Sequence, residues 1–206
     1  MTSDVTVTHP DVTLTHSKGR RPSPRERLLE AADELFYADG VHSVGIDRVI
    51  ERADVARASL YGTFGSKDEL IRAYLERRMT ASQARLRAAA EARDDPRERL
   101  LSVFDAQAAT FAQPGYRGCA FNRASAEAQP DTAAYEVPRT YRRWFRGFLT
   151  ELAAAAGAPD PERLARQVHL IYDGAMTARS LDDDADVTES ARAAAAGALD
   201  AALASR

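Results

Sequence analysis

Arg57, Ser59, Tyr61, Thr63 and Lys67 bring a guanidinium, three hydroxyls and an ammonium into one short stretch, with the small Ala58 among them. A guanidinium can bond both acceptors on the edge of a guanine. Hydroxyls and a compact ammonium suit phosphate oxygens, above all beside a helix start, whose N–H groups and dipole already favour an anion. The chemistry offered is noncovalent: a grip on phosphates and a reading of base edges. Lys67 is one of only two lysines beside 26 arginines.

No catalytic set competes with this one. Of the four histidines, His9 and His16 stand near the N-terminus, and there is no His-x-x-x-His pair, no cysteine pair and no glycine-rich phosphate loop. Asp182 to Asp184 is an acidic run of the kind that solvated loops carry. We expect no enzyme, no metal and no cofactor. The net charge is −3, so binding to a polyanion must rest on a local patch. From Lys18 to Lys67 nine basic residues face eight acidic ones, and Lys18, Arg20, Arg21, Arg48, Arg57 and Lys67 are the cations placed to help. Cys119 is the single cysteine, which excludes an internal disulfide and fits a reducing compartment. No apolar run approaches a membrane span, and the first residues lack the layout of a signal peptide. A cytoplasmic protein without membrane association is expected.

These residues need elements to hold them. Ser23-Pro24-Arg25-Glu26 combines a capping box with a proline start, and Leu28, Leu29, Ala32, Leu35 and Phe36 follow at helical spacing up to Gly40. Short helices are expected from about 46 to 52 and 56 to 61, and a long one from Ser66 to about 90, spanning about 36 Å. Asp95-Pro96 and Asp160-Pro161 open two more helices. Further helical runs cover about 119–128, 135–156 and 188–203, with Pro138 either starting or kinking its helix. The chain reads as all-α, with about nine helices. Three regions follow: a disordered, basic-ended arm at 1–21, a helix-turn-helix domain at 22–66, and a ligand-binding and dimerisation bundle at 67–206. The arm can enter a minor groove or remain a solvated tail.

The two short helices, joined at "ADVA", form a helix-turn-helix pattern, with Ile46, Val49, Ile50, Val55 and Leu60 as inward groups. The second helix would lie in a major groove with Arg57, Ala58 and Ser59 at its leading end. At this point Arg25 to Arg78 resembles the N-terminal part of TetR-family transcriptional regulators, through "LFYADG", the helix-turn-helix, "SLYGTF" and "SKDEL" in order. "RGCAFNRASAE" is similar to a segment in one branch of that family. The resemblance implies a homodimer on a palindromic operator of double-stranded DNA, usually a repressor released by a small effector, here apolar or amphipathic. Its DNA contacts fall on Arg57, Ala58, Ser59, Tyr61, Thr63 and Lys67, with Gly45 and Asp47 near the backbone; Arg48 joins them as a nearby cation. Asp54 stands where Gly is common, Ala56 where Ser is, Thr63 where His is, and Gly45 where Thr is. Aspartate tolerates the left-handed turn, whereas the lost hydroxyls remove phosphate contacts. A helical partner-binding protein without specific DNA binding is the alternative.

In the remaining helices, Leu164, Val168, Ile171, Ala175 and Ala178 form one stripe, and Ala191, Ala194, Ala195, Ala198, Leu199 and Ala202 another. Both are expected at a four-helix dimer interface, with burial inside one monomer as the alternative. Phe104, Gln107, Phe111, Cys119, Asn122, Trp144, His169, Tyr172, Asp173 and Met176 could line an apolar pocket with a few polar groups. Taken singly, each reads as core. Cys119 reads as a small buried hydrophobe, with a thiol sensor as the minor alternative.

Overall fold

The computed structural model describes residues 8–9, 12–13, 21–126, 128–182 and 184–204. Nine helices stand among them: α1 (Pro24–Asp39), α2 (Ile46–Ala53), α3 (Arg57–Phe64), α4 (Lys67–Glu91), α5 (Pro96–Phe111), α6 (Ala120–Ser125), α7 (Ala133–Ala155), α8 (Pro161–Leu181) and α9 (Val187–Ala204). Two minimal strands, β1 (Thr8–His9) and β2 (Val12–Thr13), pair antiparallel. Within the arm expected to be disordered, residues 8–9 and 12–13 therefore form a small hairpin. The rest of the expected disordered arm, up to residue 20, lies outside the described residues.

Local chemistry explains the helix starts. Ser23 Oγ accepts from Glu26 N–H while Glu26 accepts from Ser23 N–H, a complete capping box. Ser66, Asp95 and Asp160 cap α4, α5 and α8 through their side-chain oxygens. Pro138 lies inside α7 and does not start it. Helix α3 runs three residues beyond the expected end. Thr63 Oγ1 donates back to the Ser59 carbonyl at 2.6 Å, and Gly65, at φ 77°, provides the stop.

The chain forms two compact units, residues 1–80 with 119–140, and residues 81–118 with 141–206. In the first, α1, α2 and α3 bury Leu28, Phe36, Val49 and Leu60, and the start of α4 adds Leu70 and Tyr74. Phe36 meets the Tyr74 ring edge-on at 5.6 Å. A buried ion pair sits in this unit: Arg78 Nε and Nη2 donate to the two Asp33 oxygens at 2.8 and 3.0 Å, beneath the Tyr37 ring. Helix α6 joins through Arg123, which donates to the Ala38 carbonyl, and through its Ala124 carbonyl, which accepts from His42 Nε2. The Asp68 carboxylate accepts from the first N–H of α7, at Ala133, satisfying an orphan donor.

The second unit packs the end of α4, α5, most of α7, α8 and α9 around Leu86, Leu100, Phe104, Phe145, Leu149, Val168 and Leu199. The stripes expected at a dimer interface turn inward here. Leu164, Val168, Ala175, Ala191, Ala195 and Leu199 are buried in this unit's own core, and Ile171, Ala178, Ala198 and Ala202 pack against it. The reason is α5, which takes up the apolar side of α9 and ties it with the Arg97–Asp200 and Arg192–Glu98 pairs. The opposite sides of α8 and α9 are exposed at Leu170, Gly174, Ala194, Gly197 and Ala201.

Candidate functional site

The turn between α2 and α3 sets the site. Asp54 occupies the left-handed region at φ 51°, ψ 56°, and its N–H bonds to the end of α2. Arg27, one turn into α1, donates to the carbonyls of Ala53 and Asp54 at 3.0 and 2.5 Å. Arg21 pairs with the Asp54 carboxylate at 2.7 Å. Both bonds come from the one Nη1 nitrogen of Arg27, which closes the turn. No sequence signal marks Arg27, because its partners lie 26 and 27 residues away.

Helix α3 hangs on one side chain. Leu60 is fully buried, and its removal from water is worth about 1.5–3 kcal/mol. Arg57, Ala58, Tyr61 and Thr63 are exposed, Tyr61 at 46%, while Ser59 is half-buried. Arg57 donates from Nη2 to Asp47 Oδ1 on α2, so the guanidinium is held across the two short helices. Gly45, Asp47 and Arg48 are exposed at the start of α2, with Arg48 paired to Asp39 at 2.7 Å. Gly45 and Ala56 supply no side-chain cap to α2 or α3. Lys67 opens α4 and is half-buried, and burial lowers its ammonium below the usual lysine value. The Thr63 hydroxyl is engaged with Ser59, whereas the side chains of Tyr61 and Lys67 flank the same end of α3 in sequence.

The expected pocket residues divide between the units. Cys119 and Asn122 belong to the first, Cys119 half-buried at the start of α6 and Asn122 exposed. The other eight belong to the second. Gln107 is fully buried and its Nε2 donates to the Tyr172 carbonyl at 2.9 Å. Phe145 packs at 4.8 Å from Tyr172 and edge-on to His169 at 5.0 Å. Phe104 lies 6.0 Å from Tyr172, and Phe111 packs on Tyr116. Asp173 accepts from Arg142 at 2.7 Å. Trp144 and Met176 are half-buried against this core. Burial pushes the His169 imidazole down to about 4, an effect the Asp173 charge opposes and Arg142 and Arg146 reinforce. Gln107 Oε1 and His169 Nδ1 are buried without a hydrogen-bond partner. Among the described residues no cluster of His, Cys, Asp or Glu could hold a metal ion, and no helix is long and apolar enough to cross a membrane.

The chain is similar to known regulators over most of its length. Residues 28–74 match the family described as bacterial regulatory proteins, tetR family, and residues 121–204 match the tetracyclin repressor-like C-terminal domain. A TetR-family transcriptional regulator from Streptomyces coelicolor is 37% identical, with a TM-score of 0.82 over 87% of this chain and 95% of that one. A TetR-type regulator from Streptomyces avermitilis is 36% identical, with a TM-score of 0.78 over 88% and 98% of the two chains. Among curated relatives, the HTH-type transcriptional activator FasR of Mycolicibacterium smegmatis is 37% identical over 86 residues, 42% of this chain. The HTH-type transcriptional repressor NemR of Escherichia coli is 30% identical over 105 residues, half of this chain. These alignments span 39% and 53% of the two curated relatives. Such a kinship, and not any missing group, sets the enzyme reading aside. The chain belongs to the TetR family of bacterial transcriptional regulators.

Proposed function

We propose that this protein binds a palindromic operator in double-stranded DNA as a homodimer, in the cytoplasm, and represses transcription until a small effector releases it. The observation that carries the reading is the exposed row Arg57, Ala58, Tyr61 and Thr63 on a helix whose one buried side chain is Leu60. Arg57 is suited to a guanine edge, and Tyr61, Lys67 and the first N–H groups of α4 to phosphates. Gly45, Asp47, Arg48 and Ser59 flank the contact. Pairing through the outward sides of α8 and α9 is supported by Leu170, 70% exposed, beside the small Gly174, Ala194, Gly197 and Ala201. Such a dimer must hold its recognition helices about 34–36 Å apart.

The effector reading rests on the interior of the second unit. Phe104, Phe111, Trp144, Tyr172 and Met176 offer apolar walls, and Gln107, His169 and Asp173 offer polar handles, two of them with an unpartnered buried atom. An apolar or amphipathic guest with a hydrogen-bond donor suits that chemistry. Helix α4 runs unbroken from Lys67 to Glu91 and would carry a displacement toward the recognition helix by linkage. The relatives include one activator and one repressor by name, so the sign of regulation is read from transcription.

The test starts with selection of duplexes from a random pool by the full chain, followed by anisotropy titration at several salt concentrations. We expect a selected inverted repeat to bind at least about 10³-fold tighter than random duplex, with affinity falling steeply as salt rises. Equal, salt-insensitive affinities would instead support a helical partner-binding protein.

A further inference from the structure

Most cations around the helix-turn-helix are already engaged. Between residues 21 and 67, Arg21 and Arg27 pair with Asp54, Arg48 with Asp39, Arg52 with Glu34 and Arg57 with Asp47. A guanidinium held by a carboxylate must release it before it can take a phosphate, so part of the attraction is spent on the exchange. Arg25 and Lys67 differ from these five. Neither makes an ion pair or a side-chain hydrogen bond among the described residues. Lys67 already belongs to the candidate interface, whereas Arg25 has no role in it so far.

The setting of Arg25 displays its charge. It is exposed in the first turn of α1, directly after Pro24. The helix dipole disfavours a cation there, so α1 draws no support from that charge. The guanidinium lies over the Phe64 ring, 5.6 Å from its centroid. Phe64 is half-buried and ends α3, which makes its ring a seat fixed to the recognition helix. A guanidinium over an aromatic face keeps its N–H edges for other partners. Phe64 stands three residues beyond the exposed Tyr61, and residues at that spacing are neighbours on a helix surface. Lys67 follows three residues after Phe64. Two cations without a carboxylate partner thus stand at the C-terminal end of α3, one from α1 and one from α4.

We propose that Arg25, seated on Phe64, grips a phosphate of the DNA backbone beside the C-terminal end of α3. This rests on the operator-binding reading above. The planar guanidinium suits phosphate oxygens, and its contact releases counterions without breaking an internal ion pair. Such a grip carries no sequence information. It fixes the orientation of α3 on the duplex and leaves base reading to Arg57.

The experiment uses the full chain, a selected operator duplex and a random duplex of the same length. Anisotropy titrations over a range of salt concentrations are run on the wild type, Arg25→Gln, Arg25→Lys and the control Arg166→Gln, an exposed cation of α8 in the other unit. Thermal melts establish that each variant is folded. Arg25→Gln should lower the slope of log affinity against log salt by about 1. It should weaken binding to both duplexes by a similar factor, roughly three- to tenfold near 100 mM salt. Arg25→Lys should keep the slope, because the charge remains. The control, which removes the same charge elsewhere, should keep both slope and affinity. The proposal is overturned if Arg25→Gln leaves the slope unchanged, if it weakens the operator alone, if Arg25→Lys loses as much slope, or if the control does. A wild type that binds neither duplex would sink the regulator reading itself. A wild type that binds with a steep slope, kept in full by Arg25→Gln, would sink this proposal alone.

Discussion

Arg57, the first residue of the recognition helix, is bonded to Asp47 on the preceding helix. Both side chains are more than half exposed, so the pair adds at most about 1 kcal/mol to stability. Its importance lies in what it does to the guanidinium. The pair holds Arg57 in one orientation and offsets its charge before any DNA arrives. Asp47→Asn should leave the melting curve nearly unchanged, strengthen binding to random duplex and reduce the preference for a selected operator. Anisotropy titrations on both duplexes check this; an unchanged preference would show that Arg57 needs no such partner.

Arg57→Ala should cost roughly 1–3 kcal/mol of operator affinity if the arginine reads a guanine. Random duplex should lose much less. A uniform loss on both duplexes would assign Arg57 to a phosphate instead.

The turn depends on Arg27. Its Nη1 donates to the carbonyls of both Ala53 and Asp54. Arg27→Ala should destabilise the protein by about 1.5–3 kcal/mol, the range for a charged hydrogen-bond donor. Arg27→Lys should recover part of the loss, since an ammonium also offers several donors on a single nitrogen. Urea unfolding followed by circular dichroism reads both.

Buried in the same unit, Arg78 and Asp33 are 0% and 1% exposed. Arg78→Met strands a carboxylate in the core, with Arg77 at 3.5 Å as a weaker remaining neighbour. A loss of about 3–5 kcal/mol is expected. The double variant Asp33→Leu with Arg78→Met should be more stable than Arg78→Met alone, because no charge is left behind. The same unfolding assay gives the comparison.

His169 predicts a pH dependence. Its folded value of about 4 lies below the ordinary 6.5, because burial disfavours the imidazolium. The unfolded chain therefore binds the proton first. Stability is complete above about pH 6.5 and falls as pH drops toward 4, by up to about 3 kcal/mol for this group. His169→Leu should flatten the stability curve between those values. An unchanged slope in the variant would place the titration elsewhere.

Much of this was legible in the chain before any coordinates. Ser23, Asp95 and Asp160 are recognisable as caps because a cap acts within three residues of itself. The sequence places the end of α3 at about residue 61, whereas the helix runs to Phe64, its last turn held by the Thr63–Ser59 bond. Periodicity identified the apolar sides of α8 and α9 correctly, but periodicity does not say what covers such a side. Here it is α5 and the unit's own core, while the opposite sides are exposed. Asp33–Arg78 and Arg27–Asp54 were invisible for a different reason: 45 and 27 residues separate their members, and long-range ion pairs leave no local pattern.

Helix α3 is bracketed by two left-handed residues, Asp54 before it and Gly65 after it; Leu60 is its one fully buried side chain, and Phe64 is half-buried with Arg25 over its ring. Architecture and address are therefore written in different letters. The outward positions can be rewritten in descendants of this gene, or in a laboratory library, while the scaffold that displays them goes on folding. Of the outward positions, Arg57 is tied to α2 through Asp47, so a change there also frees that carboxylate.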